Sequence, residues 1–237
     1  MIPRVAVVIA GGLGTRIAAV AGDSPKVLLS VGDRPFLEVK LDELVRENVA
    51  AAVLLTGHKS EAVHAYLQSH MTSIPIAIVS DGPQLLGTGG ALVRALPFLP
   101  DSFFVTYGDA LLDVSYELVQ TTANNGDRQM STLVVTLPRL GFDDKTNTVV
   151  VGEHVVEHDK TKRSPEMRWL DYGLALLVKS DLLDLELPAQ SFDLSLIYAQ
   201  LANKKILRAV ITNDPYWETG TPSSLELVRQ EWQNRYP

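Results

Sequence analysis

The segment richest in chemical information is Gly11-Gly12-Leu13-Gly14-Thr15-Arg16, which follows directly on the apolar run Val5 to Ala10. Gly11, Gly12 and Gly14 let backbone N–H groups approach an anion closely, and Arg16, beyond Thr15, adds a fixed bidentate phosphate donor. A strand, then glycines, then arginine reads as a cradle for a triphosphate. Two common nucleotide loops do not fit: the Walker pattern needs Gly-Lys-Ser/Thr after four intervening residues, and the dinucleotide fingerprint needs a third glycine where Ile17 stands. Further on, Ser24-Pro25-Lys26 sets a lysine behind a stiff proline, where it can bring a second positive charge to an α-phosphate.

These groups need a scaffold, and hydrophobic periodicity supplies one. Val5 to Ile9, Ala52 to Leu55, Ile76 to Val79 and Phe103 to Thr106 read as strands; Phe36 to Arg46, Glu61 to Gln68, Gly89 to Leu96 and Ser115 to Asn124 read as helices between them. Such alternation predicts a parallel sheet covered on both faces. From Ser131 the rhythm turns β-rich, with strands expected over Ser131 to Leu137, Thr148 to Val151, Val155 to Asp159 and Leu170 to Val178. A helix from about Asp193 to Ala202, a strand from Ile206 to Ile211 and a helix opening at Thr221-Pro222 follow, proline being tolerated in a first helical turn. The expected fold class is α/β, with a Rossmann-like, mixed and mostly parallel sheet flanked by helices.

Composition excludes several functions. The 237 residues contain no cysteine, so disulfide and thiolate chemistry are absent. Charged residues make up 21% and hydrophobic residues 46%, the balance of a globular domain with a sizeable core. A net charge of −7 without a basic block argues against nucleic acid or an anionic membrane as partner. The apolar run after the start is too short for a signal-peptide core or a membrane span, so a cytoplasmic location is the expectation.

The pair GGLGTR…PK resembles the opening signature of the sugar-1-phosphate nucleotidyltransferase family, and further segments match in order over almost the whole chain. Leu86-Gly87-Thr88-Gly89-Gly90-Ala91 is similar to the family segment that packs on the nucleoside, implying contacts from Gly87 and Thr88, with Gln84 as a reader of base edges. Tyr107-Gly108-Asp109 resembles the family's Gly-Asp, whose aspartate binds the catalytic magnesium. Asp109 also closes a predicted strand at the carboxyl edge of a parallel sheet, where such sheets collect ligands. Trp217-Glu218-Thr219-Gly220-Thr221-Pro222 resembles the late segment whose first carboxylate is the second metal ligand. The family usually carries aspartate there, and Glu218 departs from it by one methylene of reach.

The resemblance implies that Arg16, Lys26 and Asp109 are catalytic, that Asp109 and Glu218 hold Mg²⁺, and that the substrates are a nucleoside triphosphate and a sugar-1-phosphate. It divides one domain of residues 1–237 into a mainly nucleotide-binding part, 1–126, and a mainly sugar-binding part, 127–237. Val156-Glu157-His158-Asp159-Lys160 resembles the family's Glu-Lys pair, which makes Lys160 the cation for the sugar's phosphate. Leu170-Asp171-Tyr172-Gly173 stands where many relatives have Asn-Ala-Gly, so Gly173 survives. Asp171 could accept from sugar hydroxyls, and Tyr172 could stack on the ring or donate its phenol. Within the family the chain looks most like the heptose-1-phosphate guanylyltransferase group. A uridylyltransferase of another sugar phosphate and a catalytically weakened regulatory subunit are the alternatives, and homo-oligomerisation stays open.

One motif argues against itself. His154-Val155-Val156-Glu157-His158 spells a zinc-peptidase pattern, but that pattern needs a helix. In the strand expected here, residues four apart lie roughly 13 Å from each other. Both histidines are therefore expected to be surface or hydrogen-bonded residues.

Overall fold

A computed structural model describes residues 5–12, 14, 17, 20, 22, 24–139, 145–162 and 164–235. Thr15 and Arg16, both expected at the phosphates, lie outside the described residues. Strand β1 (Val5–Ile9) leads through the glycine segment to one 3-10 turn (Lys26–Leu28) and a small hairpin of β2 (Ser30–Val31) and β3 (Arg34–Pro35). Next come α1 (Phe36–Arg46), β4 (Ala51–Thr56), α2 (Ser60–Ser69), β5 (Ile76–Ser80), α3 (Gly87–Ala95), β6 (Ser102–Tyr107), β7 (Ala110–Leu112) and α4 (Tyr116–Ala123). The later part runs through β8 (Ser131–Thr136), β9 (Thr148–Val151), β10 (His154–His158), β11 (Leu170–Val178), α5 (Lys179–Leu183) and α6 (Ser195–Asn203). It ends with β12 (Leu207–Ile211), β13 (Tyr216–Glu218) and α7 (Pro222–Arg235).

One nine-stranded sheet, ordered β5-β4-β1-β6-β11-β8-β12-β10-β9, continues through both parts of the chain. The first four of these strands pair in parallel, as their helical crossovers require. Strand β11 then runs antiparallel between β6 and β8, β12 is parallel to β8, and the β9–β10 hairpin closes the far edge. A separate two-stranded ladder joins β7 to β13.

Strand pleating sorts side chains between two cores. In β1, Ala6 and Val8 pack in one cluster while Val7 and Ile9 pack in the other. Leu37, Leu41 and Leu44 of α1, at helical spacing, join the first; Leu92 and Ala95 of α3 join the second with Ile197 and Leu201 of α6. Each buried leucine of this kind contributes about 1.5–3 kcal/mol.

Several helix boundaries differ from those expected by one or two residues. Ser115 is the N-cap of α4, its hydroxyl accepting the Leu118 amide at 3.3 Å. Helix α3 opens at Gly87 instead of Gly89, and α6 at Ser195 instead of Asp193. Strands β2, β3, β7 and β13 and helix α5 were not expected, because elements of two to five residues show no period.

Candidate active site

At the carboxyl ends of the parallel strands, Gly12 and Gly14 face Lys26, Thr88, Tyr107, Asp109 and Gly220 around a cavity of about 280 Å³. Lys26 Nζ donates to Asp109 Oδ2, closing an ion pair between the 3-10 turn and the end of β6. Both side chains remain partly exposed, at 16% and 28%. The loop after β6 is drawn back against β1 by the Gly108 amide, which donates to the Ile9 carbonyl at 2.9 Å. Sequence spacing and structure thus agree on a cation, a carboxylate and glycine backbone at one sheet edge.

The second carboxylate arrives through the small ladder. Glu218 pairs with Ala110 in the β13–β7 register, and the next residue, Thr219, donates its amide to the Asp109 carbonyl at 2.8 Å. The main chains bearing Asp109 and Glu218 are therefore locked side by side. Glu218 itself lines a neighbouring groove of about 570 Å³ with Arg139, Tyr216 and Trp217, rather than the cavity of Lys26. Two carboxylates, Glu218 at the end of the ladder and Asp109 immediately before it, are hard oxygen donors of the kind Mg²⁺ takes, and phosphate or water oxygens complete such a set. Among the described residues no group of three or more His, Asp or Glu side chains could hold a metal by itself.

Helix α3 reaches the cavity through Thr88, while its glycines face the loop before α6. A Cβ at Gly89 would stand 2.3 Å from the Phe192 ring, and one at Gly87 2.5 Å from the Phe192 carbonyl oxygen. The glycines of this segment thus let α3 pack against the loop before α6, whatever else they contact. Thr88 accepts the Leu194 amide at 2.8 Å and donates to Asp193 Oδ2 at 3.2 Å. Gln84 is exposed on the turn before α3.

Two carboxylates missed by sequence reasoning stand here. Asp193 also accepts from Lys160 at 3.3 Å, so it joins the expected nucleoside and sugar-phosphate sides. Burial would raise the Asp193 pKa, but Lys160 and the Ser195 amide and hydroxyl leave it lowered. Asp81 is buried at the end of β5, accepts the Leu86 amide at 3.0 Å, and is pushed up by that burial. Neither sits in a motif; Asp81 could have been flagged by its place just before the glycine-rich segment, whereas nothing local in the sequence marks Asp193.

On the expected sugar side, Lys160 Nζ lies 5.8 Å from the centre of the Tyr107 ring. Burial lowers its pKa, but Tyr107, Asp171 and Asp193 outweigh this, and the net shift is upward. Asp171 Oδ1 accepts the Gly173 amide at 2.9 Å, and Gly173 takes φ +96° within a bulge of β11. Tyr172 corrects the expectation placed on it. It is 1% exposed, its ring meets Tyr216 edge-on, and its hydroxyl donates to the Pro215 carbonyl at 2.8 Å while accepting the Asp113 amide at 3.2 Å. With ring and phenol committed, Tyr172 braces the ladder instead of offering a face to sugar.

Of the two alternatives expected for His158, the structure shows the hydrogen-bonded one. Its run is a strand as predicted, but the side chain is buried, and Nε2 has no partner among the described residues. The Asp171 amide identifies Asn147 Oδ1 as an acceptor, Thr148 spends its hydroxyl proton on that oxygen, and His158 Nδ1 must donate to Thr148 at 3.0 Å. Burial lowers the His158 pKa, which favours this neutral form.

A glycine-rimmed cavity holding a lysine–carboxylate pair at the carboxyl edge of a Rossmann-like sheet defines a nucleotide-handling α/β enzyme. Residues 6–158 match the MobA-like NTP transferase domain, and the chain belongs to this family of nucleotidyltransferases. It is 28% identical to the D-glycero-alpha-D-manno-heptose 1-phosphate guanylyltransferase of Campylobacter jejuni, over 92% of this chain and 95% of that protein. It is likewise 28% identical to the N-acetylmuramate alpha-1-phosphate uridylyltransferase of Caulobacter vibrioides, over 69% of this chain and 79% of that one. The chain spans 35% of the bifunctional protein GlmU of Blochmanniella pennsylvanica, which it also matches. The inositol-1-phosphate CTP transferase of T. maritima shares the fold with a TM-score of 0.80, at 18% identity and 98% coverage of both chains. The resemblance seen in the motifs to sugar-1-phosphate nucleotidyltransferases therefore stands. No helix among the described residues is long and apolar enough to cross a membrane.

Proposed function

We propose that the protein joins a nucleoside triphosphate to a sugar-1-phosphate, with guanylyl transfer to a heptose-1-phosphate as the foremost reading. The observation that carries the reaction is the convergence of Lys26, Asp109 and Thr88 on one glycine-rimmed cavity. The substrate reading is supported by the guanylyltransferase relative, whose match spans nearly both chains. A sugar-phosphate oxygen attacks the α-phosphorus, a new P–O bond forms, the bond to the β-phosphate oxygen breaks, and pyrophosphate leaves with the negative charge. The attacking phosphate is already ionised at neutral pH, so no general base is required and catalysis reduces to positioning and charge neutralisation.

Each residue has a place in this scheme. The Gly11, Gly12 and Gly14 backbone cradles the triphosphate, Arg16 holds the departing pyrophosphate, and Lys26 meets the charge that grows on the α-phosphate. Lys160, aligned by Asp193, binds the sugar phosphate, and Asp171 accepts from sugar hydroxyls. Asp109 and Glu218 would hold Mg²⁺, which when bound supplies charge neutralisation shared between phosphates. Gly87, Thr88 and Gln84 lie toward the nucleoside.

A second reading, uridylyl transfer to another sugar phosphate, is supported by the uridylyltransferase relative. Pyrophosphate release, measured with Mg²⁺ over four nucleoside triphosphates and several sugar-1-phosphates, separates the readings. GTP with a heptose-1-phosphate should give the highest kcat/KM; a UTP maximum would establish the second reading. Silence throughout, with nucleotide still binding, would leave a regulatory protein.

A further inference from the structure

Helix α1 carries charge where its neighbouring positions carry leucine. Lys40 is fully buried and Glu43 is 2% exposed. Lys40 Nζ donates to Glu43 Oε1 at 2.7 Å, and the Tyr116 hydroxyl donates to the same oxygen at 3.0 Å. Glu43 Oε2 accepts the Leu112 amide at 2.9 Å. One turn further along, Glu47 Oε2 accepts the Tyr116 amide at 3.1 Å. Desolvating two charges is costly, and a buried pair commonly stabilises a fold no better than matched apolar side chains would. What this pair supplies that apolar residues cannot is an acceptor for the main chain of β7.

That main chain is short and closely tied to the site. Strand β7 spans Ala110 to Leu112, directly after Asp109, and its ladder partner is β13, which ends at Glu218. One end of the ladder bears both candidate metal ligands; the other is the Leu112–Tyr216 pair, where Glu43 takes hold. Burial lowers the Lys40 pKa, and Asp109 is among the charges that raise it again, so the ammonium lies within electrostatic reach of the site. We propose that Glu43, anchored by Lys40, is a positioning residue for nucleotidyl transfer that fixes the β7–β13 ladder and through it the Asp109 carboxylate. This rests on the role given to Asp109 above.

Two double variants test it. Lys40→Met/Glu43→Leu removes the acceptor while filling the space, and Lys40→Met/Glu43→Gln removes the charges but keeps an amide oxygen for Leu112. The glutamine variant should melt near the wild type, whereas the leucine variant, which takes the acceptor from the buried Leu112 amide and Tyr116 hydroxyl, should melt lower, so kcat is compared at a temperature where both are folded. The leucine variant should lose on the order of 10-fold or more in kcat, with the KM for nucleoside triphosphate little changed, because misplacement of a reacting group acts on the chemical step. Its Leu112 amide should exchange with deuterium faster by a similar factor, while β1 and β4 exchange as before; the glutamine variant should recover both. If the leucine variant does not fold, Lys40→Met/Glu43→Met carries the same comparison with a more adaptable side chain. A folded leucine or methionine variant with wild-type kcat, or with wild-type protection at Leu112, overturns the proposal. A wild-type protein inactive on every substrate pair would refute the reaction instead, and Leu112 exchange alone would then decide the anchor.

Discussion

Lys26 and Asp109 form an ion pair at the cavity, and in the reaction proposed above the incoming phosphates would draw the ammonium away from its carboxylate. Replacing Lys26 by alanine should lower turnover by about 10²-fold or more, the cost of removing one transition-state charge contact, with the melting temperature near the wild type. Steady-state kinetics beside a thermal melt check this; near-normal turnover would return Lys26 to the surface. For the carboxylates, Asp109→Asn and Glu218→Gln should each raise the magnesium needed for half-maximal rate. The double variant should lose little beyond the worse single one, since groups acting as a unit are not additive. An unchanged magnesium requirement in Glu218→Gln would show that the groove-lining position of Glu218 is its only role. His158 carries a pH signature. Its folded pKa lies below the ordinary 6.5, so the unfolded chain binds the extra proton first, and stability falls as pH drops through that value. Urea midpoints at about pH 7.5 and 5.5 should differ more for the wild type than for His158→Gln.

Among the elements, those legible in advance were those long enough to show a period or an apolar run. The α1 leucines were readable because one buried face repeats along the helix, and the strands of the first part because they are continuous apolar runs buried on both faces. Leu41→Ala should therefore cost about 2–5 kcal/mol, read from a denaturant midpoint. The β7–β13 ladder was not readable: three residues show no alternation, and their pairing joins positions more than a hundred residues apart. The motif residues Lys26 and Asp109 could be named from local spacing, whereas Asp193 and Glu43 owe their places to tertiary contacts with Thr88 and Leu112. Tyr172 shows the converse failure. Its position in a motif suggested a ligand contact, but burial against Tyr216 decides its role. Removing the Ser115 cap with alanine should cost α4 about 1 kcal/mol, visible as a lower melting temperature with unchanged substrate affinity.

For the molecule as a whole, the strand order has a consequence for how the protein is made. Strand β11 lies between β6 and β8, yet it is translated after both, and Leu174 to Leu177 are almost wholly buried there. A ribosome that has released residues 1–158 has exposed β6 with a hydrophobic run, Phe103 to Val105, and no antiparallel neighbour beside it. Unpaired edges of this kind template association between chains. Nascent chains stalled before residue 170 should therefore stay protease-sensitive and lean on chaperone holdases, whereas chains extended past Val178 and clear of the exit tunnel should become resistant in one step. Arrest peptides placed at successive lengths would locate that step. A protein whose sheet is closed from the middle by a late strand has to survive most of its own synthesis unfinished, and mutations that slow the docking of β11 would show first as lost yield in the cell, before any loss of activity in the molecules that fold.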